Sequence, residues 1–271
     1  MPDVSEGSQS AAGRSDPVSL EAPRLVAIDG PAGCGKSTVV RLLAEQLGAL
    51  GVTALGFSSG LVYRALTWCA LERGLDPSDG ERVRELVGAV TIAIVERAGG
   101  LRVEIDGVDP GDELHSVRVT EAIHWIADDP EVRGAVLPLQ RNLPVGPVIL
   151  AEGRDLGTVV YPDAAVKIFL TASLEERARR RHAEFRDRLG EEISLEEVEE
   201  RLRRRDEHDS TRDAAPLRPA DGSRVIDTTD HDPGEVVELV LEGIPRAWLP
   251  YPAPPSKKSP SKRSPSKRSP S

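Results

Sequence analysis

Residues Gly30, Pro31, Ala32, Gly33, Cys34, Gly35, Lys36, Ser37 and Thr38 have the spacing G-x-x-x-x-G-K-[ST]. Such spacing is suited to holding phosphate groups. The glycines let backbone N–H groups turn inward around phosphate oxygens, and the start of the following helix adds partial positive charge. Lys36 is placed to reach the terminal phosphates of a nucleoside triphosphate, and Ser37 to hold Mg²⁺. Only two lysines precede the C-terminal tail, Lys36 and Lys167, against 27 arginines. The body uses arginine for generic positive charge, which makes a lysine in the loop informative. No such demand is read for Lys167. Cys34 sits in the loop beside a cation. Either its thiol is acidified there or it fills a small-residue slot, and the second reading is the favoured one.

A phosphate loop leaves the second substrate open, because kinases, GTPases and motor ATPases all use one. Four further groups bear on it. They are Ser58-Ser59-Gly60-Leu61-Val62-Tyr63-Arg64, then Glu152-Gly153-Arg154-Asp155, then eleven arginines between Glu175 and Arg212, and finally Arg205, Asp206, Asp209 and Arg212. Guanidinium forks bind phosphoryl oxygens in pairs of hydrogen bonds, which suits a phosphate-bearing acceptor. Roughly half of the eleven are expected to be solvated helix faces.

These groups need elements to position them. Leu25–Ile28 is a short apolar run ending at the loop, so a buried strand, and 37–50 shows the apolar spacing of one helical face. Further helices are expected over 63–73, 117–127 and 132–141. The alternating runs 91–96 and 102–106 flank Ala98-Gly99-Gly100 and read as a hairpin. Buried strands are expected at 148–151 and 166–170, a short strand at 224–228 and a last helix at 233–242. Ser173 and Ser194 each precede a glutamate by three residues, a helix-start pattern. Strands alternating with helices indicate an α/β fold with a mostly parallel sheet, the hairpin and charged helices being insertions.

Composition closes off other classes. Hydrophobic residues at 39% supply a core, and aromatics at 3% are too few for base-stacking platforms. The net charge of −10 hides six positive charges in the last 16 residues. An acidic body argues against a face built for nucleic acid. Residues 1–22 are expected to be a disordered lead. Residues 251–271, with Ser-Lys-Lys/Arg-Ser-Pro recurring every five residues, are expected to be a disordered basic tail offering at most a weak polyanion contact. No apolar run approaches a membrane span. Two cysteines, Cys34 and Cys69, exclude a disulfide scaffold and point to a cytoplasmic protein.

In order and spacing these segments resemble the bacterial cytidylate kinases. The resemblance runs from about residue 24 to about 230 and is carried by GPAGCGKST at 30–38, SGLVYR at 59–64, EGRDLGTVVYPDAAVKIFLTAS from 152, ERARRR at 176–181 and RRDEHDSTRDAAPL from 204. It implies a three-layer P-loop kinase core with a parallel sheet. A monophosphate-binding insert (about 85–142) and a helical lid (about 175–212) would complete a domain spanning 23–250. It also implies transfer of the ATP γ-phosphoryl group to CMP or dCMP with Mg²⁺, by a monomer. Carried onto this chain, Arg64, Arg154 and Arg212 would bind the acceptor phosphate, and Tyr63, Arg205 and Asp209 the sugar. Arg133 and Asp155 would read the cytosine edge, with Ser59 lining the pocket. Arg177, Arg180 and Arg181 would close over the ATP phosphates, Arg154, Arg180 and Arg181 joining Lys36 in catalysis.

Three positions depart from the family pattern. Ser58 stands where an aspartate is usual, Glu113-Leu114-His115 replaces Glu-Ile-Arg, and His124 replaces a base-contacting serine. His124 either donates to a cytosine carbonyl or is a tolerated replacement. On the residues alone, a kinase for another small acceptor and a nucleotide-dependent switch ATPase remain alternatives. The first would lose Asp155 and Arg133; the second would leave Arg64, Arg154, Arg205 and Arg212 idle.

Overall fold

A computed structural model describes residues 24–97, 100–186 and 193–250. The expected lead at 1–22 and tail at 251–271 lie outside the described residues, as do Ala98 and Gly99 of the hairpin turn. Five strands form one parallel sheet: β1 (Leu25–Asp29), β2 (Ala54–Ser58), β5 (Val148–Gly153), β6 (Val166–Thr171) and β7 (Arg224–Asp227), in the order β2-β5-β1-β6-β7. The helices are α1 (Lys36–Ala49), α2 (Gly60–Glu72), α3 (Gly80–Ala89), α4 (Val117–Ala127), α5 (Pro130–Arg141), α6 (Leu174–Glu184), α7 (Leu195–Thr211) and α8 (Pro233–Leu241). Strands β3 (Ile92–Arg97) and β4 (Gly100–Ile105) pair antiparallel as the expected hairpin.

The central strands are apolar throughout because both of their faces are covered. Leu25 and Ala27 of β1 pack into one core with α2, α4 and α5, while Val26 and Ile28 pack into another with α1 and α8. Ile149 and Ala151 of β5 take the first side, Val148 and Leu150 the second. The result is an α/β sheet with helices on both sides. A third, smaller cluster joins Ala32 of the loop to Ala178 of α6 and to Val198 and Leu202 of α7.

Sequence reading passed over β2 and α3. In β2 only alternate residues are buried, and Gly56 breaks the apolar run. A Cβ on Gly56 would stand 2.9 Å from Val40 Cγ1 of α1, and the hairpin crosses close by: a Cβ on Gly100 would stand 2.7 Å from the Gly56 carbonyl oxygen. The helix starts are as read. Ser173 accepts from the Glu176 N–H and Ser194 from that of Glu197, while a full reciprocal capping box forms at Asp232 and Glu235. No helix among the described residues is long and apolar enough to cross a membrane.

Candidate active site

In an open parallel sheet, the crevice outside the carboxyl ends of the strands is where ligands bind. Here β1 ends at Asp29 and its register partner Gly153 ends β5. The phosphate loop and the segment Arg154-Asp155 therefore start side by side, although some 120 residues apart in sequence.

The loop is held closely from below. Gly30, Gly33 and Gly35 have φ of 153°, 77° and 94°. A Cβ on Gly30 would meet the Leu170 carbonyl oxygen at 2.1 Å, so no side chain fits there. Lys36 Nζ folds over the loop and donates to the carbonyls of Gly30 and Pro31 at 2.9 and 2.7 Å. Burial, then the nearby Arg154 charge, pushes the Lys36 ammonium below its usual range. Such an ammonium gains most from an incoming anion. Cys34 is buried and lies 3.7 Å from Lys36 Nζ. Ser37 and Thr38 are exposed at the mouth of the loop.

Ser37 Oγ lies 2.8 and 2.9 Å from the two Glu152 carboxylate oxygens. Sequence reading quoted Glu152 without giving it a role. Its signal is an acid ending an apolar strand, shared with Asp29 at the end of β1. Asp29 is 3% exposed and accepts from the backbone N–H groups of Leu156 and Gly157 at 2.9 and 2.8 Å. Burial outweighs those donors, and its carboxyl is pushed up to about 6.

Beside the loop, arginines gather from separate elements. Arg154 Nε donates to Asp209 Oδ2 at 2.9 Å, joining the end of β5 to α7. Asp209 is buried, but Arg154 and then Arg205 outweigh the burial and hold its carboxyl below the usual range. Arg205 lies 4.0 Å from Asp209, and burial followed by repulsion from Arg154 lowers it to about 10. Arg64 is lowered to about 10 by burial, then by the charges of Arg181 and Arg154. Its Nη1 donates to the Leu114 carbonyl and to Thr120 Oγ1. Arg212, 8% exposed, is tied through Nε to the Ala215 carbonyl. This concentration of positive charge with few carboxylates calls for an anion.

Asp155 and Arg133 form a direct ion pair, with the Arg133 guanidinium 5.4 Å from the centre of the Tyr63 ring. Burial raises the Asp155 carboxyl against the pull of Arg133. Tyr63, buried, is pushed up to about 12. Ser59 donates to the Glu152 carbonyl at 3.2 Å. Gln140, which sequence reading missed, donates to the Ser59 carbonyl at 3.3 Å. Its own side-chain oxygen is buried and unsatisfied among the described residues. His124 stacks at 4.6 Å on Trp125, which is 54% exposed, and faces the His208 ring edge-on at 6.0 Å.

The three arginines expected to close over ATP separate. Arg177 is buried and held by the carbonyls of Ala172 and Ala32 and by Asp206, at 3.0, 3.1 and 2.6 Å. Its guanidinium ties α6 and α7 to the loop at Ala32. Arg180 donates to the Thr228 carbonyl and side chain, and Arg181 stacks on Phe185 at 4.6 Å. Both are partly exposed, and the Arg181 charge is felt by Arg64 and Arg205.

The family model described as cytidylate kinase matches residues 26–246. A cytidylate kinase of Caldanaerobacter subterraneus subsp. tengcongensis is 42% identical over 219 residues, which is 81% of this chain and 93% of that protein. One from Carboxydothermus hydrogenoformans is 42% identical over 221 residues, 82% and 97% of the two chains. One from Pseudomonas aeruginosa PAO1 is 39% identical over 219 residues, 80% and 93%. With its phosphate loop, parallel sheet and shared motifs, the chain belongs to the cytidylate kinase family.

Proposed function

We propose that this chain is an ATP-dependent kinase that transfers the γ-phosphoryl group to CMP or dCMP, giving ADP and CDP or dCDP. The observation that carries it is the junction of two sites at one edge of the sheet. The Lys36 loop ends β1, and the Arg154–Asp209 pair and the Asp155–Arg133 pair stand beside it at the end of β5. Phosphoryl transfer asks chiefly for alignment and for neutralisation of charge. Lys36 would leave its carbonyl partners for the donor phosphates. Arg64, Arg154 and Arg212 would take the acceptor phosphate. Tyr63, Arg205 and Asp209 would hold the sugar, Arg133 and Asp155 the cytosine edge, and Ser59 the pocket wall. Arg180 and Arg181 would come in from α6.

Ser37 and Glu152 present a hydroxyl and a carboxylate 2.8 Å apart at the mouth of the loop. Hard oxygen donors in that number fit Mg²⁺, which takes much of its shell from phosphates and water. Bound there, it would neutralise charge on the donor phosphates. We further assign 85–142 as the acceptor insert and 175–212 as the lid, acting in a cytoplasmic monomer. The basic tail would be dispensable for catalysis and a weak contact for polyanions. The test is ADP release from ATP with and without CMP. Strong stimulation by CMP is expected, and turnover indifferent to CMP would favour a switch ATPase.

A further inference from the structure

The turn between α4 and α5 carries two acids with different duties. Asp129 caps α5, accepting from the N–H groups of Glu131 and Val132 at 2.8 and 3.0 Å. Asp128, the last residue before it, reaches α7 instead. Its Oδ2 lies 2.6 Å from His208 Nε2, and its Oδ1 lies 3.6 Å from Arg212 Nη1. Arg212 is 8% exposed, so its charge must be balanced from within the protein. Among the described residues two carboxylates stand within 4.0 Å of it, Asp128 and Asp209, and Asp209 is already bonded to Arg154. Asp128 is the nearer and the less committed to another arginine. The residue before it, Ala127, accepts from Arg133 Nη1 at 2.9 Å through its carbonyl. A single turn thus holds an arginine assigned to the base and touches an arginine assigned to the phosphate.

We propose that Asp128 is a positioning residue of the acceptor site. It pins the α4–α5 turn to α7 through His208 and sets the resting direction of the Arg212 guanidinium. The inference rests on the acceptor site proposed above. Asp128 acts through Arg212 and α7 rather than on the acceptor itself. An arriving phosphate replaces it as the partner of Arg212, while His208 keeps the turn and the helix together. Losing Asp128 leaves Arg212 with the Ala215 carbonyl and the shared Asp209, and α7 free to shift against the turn. The acceptor then meets a misaligned clamp, whereas the ATP loop, held from below by Arg177, is untouched.

The test is steady-state kinetics of the full chain and of Asp128→Ala, Asp128→Asn, His208→Ala and the Asp128→Ala/His208→Ala double variant, with CMP and ATP each varied. For Asp128→Ala, the KM for CMP is expected to rise about tenfold, with kcat within about threefold and the KM for ATP unchanged. Asp128→Asn keeps polar atoms for the contact with His208 but loses the charge beside Arg212, so it should recover part of the loss. The double variant should be no worse than Asp128→Ala, since both changes remove one contact. An unchanged KM for CMP in Asp128→Ala overturns the proposal, as does an equal rise for CMP and ATP, which marks general loosening. If Asp128→Ala is too unstable to assay, His208→Ala at its half-exposed position reads the same contact, and an unchanged KM for CMP there is equally fatal. Failure of the acceptor reading itself shows differently, as absence of CMP-dependent turnover in the unmutated chain.

Discussion

Arg154 Nε stands 2.9 Å from Asp209 Oδ2, across 55 residues of sequence, and so locks the end of β5 to the last turns of α7. The pair keeps a buried guanidinium charged and uses its Nε, while Nη1 donates to the Gly153 carbonyl at 3.3 Å. Burial opposes that charge, but Asp209 more than restores it, and the Arg154 guanidinium is raised above its ordinary value. The same helix places Asp206 on Arg177 under the phosphate loop and His208 on Asp128 at the insert turn. Helix α7 thus touches Arg177 at the phosphate loop, Arg154 at the end of β5 and the α4–α5 turn.

Lys36→Ala should lower phosphoryl transfer on the order of a thousandfold, because one charge-assisted clamp in a closed site is lost. The fold should survive, since the sheet and both large cores are independent of Lys36. Turnover within tenfold of the unmutated chain would contradict its role.

Ser37→Ala and Glu152→Gln should each raise the Mg²⁺ concentration for half-maximal activity, by about tenfold, with circular dichroism unchanged. Both side chains lie at the exposed mouth of the loop. An identical Mg²⁺ titration for both variants would remove them from the metal-holding role.

The loop, its helix and the strand before it were legible in the sequence because each is a local feature. Glycine spacing, a lysine in a lysine-poor body, and serines three residues ahead of glutamates all act within a few residues. The Ser37–Glu152 contact was not legible, since it depends on β5 lying next to β1, with Ile28 opposite Glu152. Strand β2 was missed because Gly56, where a Cβ would crowd Val40 of α1, dilutes its apolar pattern. Arg177 was read with its neighbours as a lid arginine. In the structure its guanidinium is held by Ala32 and Asp206, contacts that depend on α6 packing Ala178 onto Ala32 and on α7 lying beside it. The Asp128–His208 contact lies between residues 80 apart and left no local trace.

Asp155→Ala should reduce kcat/KM for CMP by roughly 2–4 kcal/mol and for UMP by less, because a carboxylate accepts from the cytosine amino group and repels a uracil carbonyl. Arg154→Ala should weaken both acceptors about equally, since both carry the phosphate. Asp155 also pairs with Arg133, so an equal loss for CMP and UMP would reduce Asp155 to a prop for that arginine.

Asp29 gives the fold a pH dependence of its own. Its folded value, about 6, lies above the ordinary carboxyl value of 3.8. The stability it contributes is therefore complete below about 3.8 and is lost as pH rises through about 6. Urea unfolding between pH 4 and 7 should show this slope, and Asp29→Asn, uncharged throughout, should flatten it. A variant with an undiminished slope would place the titration elsewhere.

The central claim is that the arginines at the end of β5 and on α7 form a site for a cytidine monophosphate. The direct measurement is kcat/KM for CMP, dCMP, UMP and AMP against ATP, with CDP or its counterpart quantified beside ADP. The account predicts CDP and dCDP in step with ADP, and at least tenfold lower kcat/KM for UMP and AMP. ADP without a phosphorylated acceptor, or equal use of all four, would contradict it.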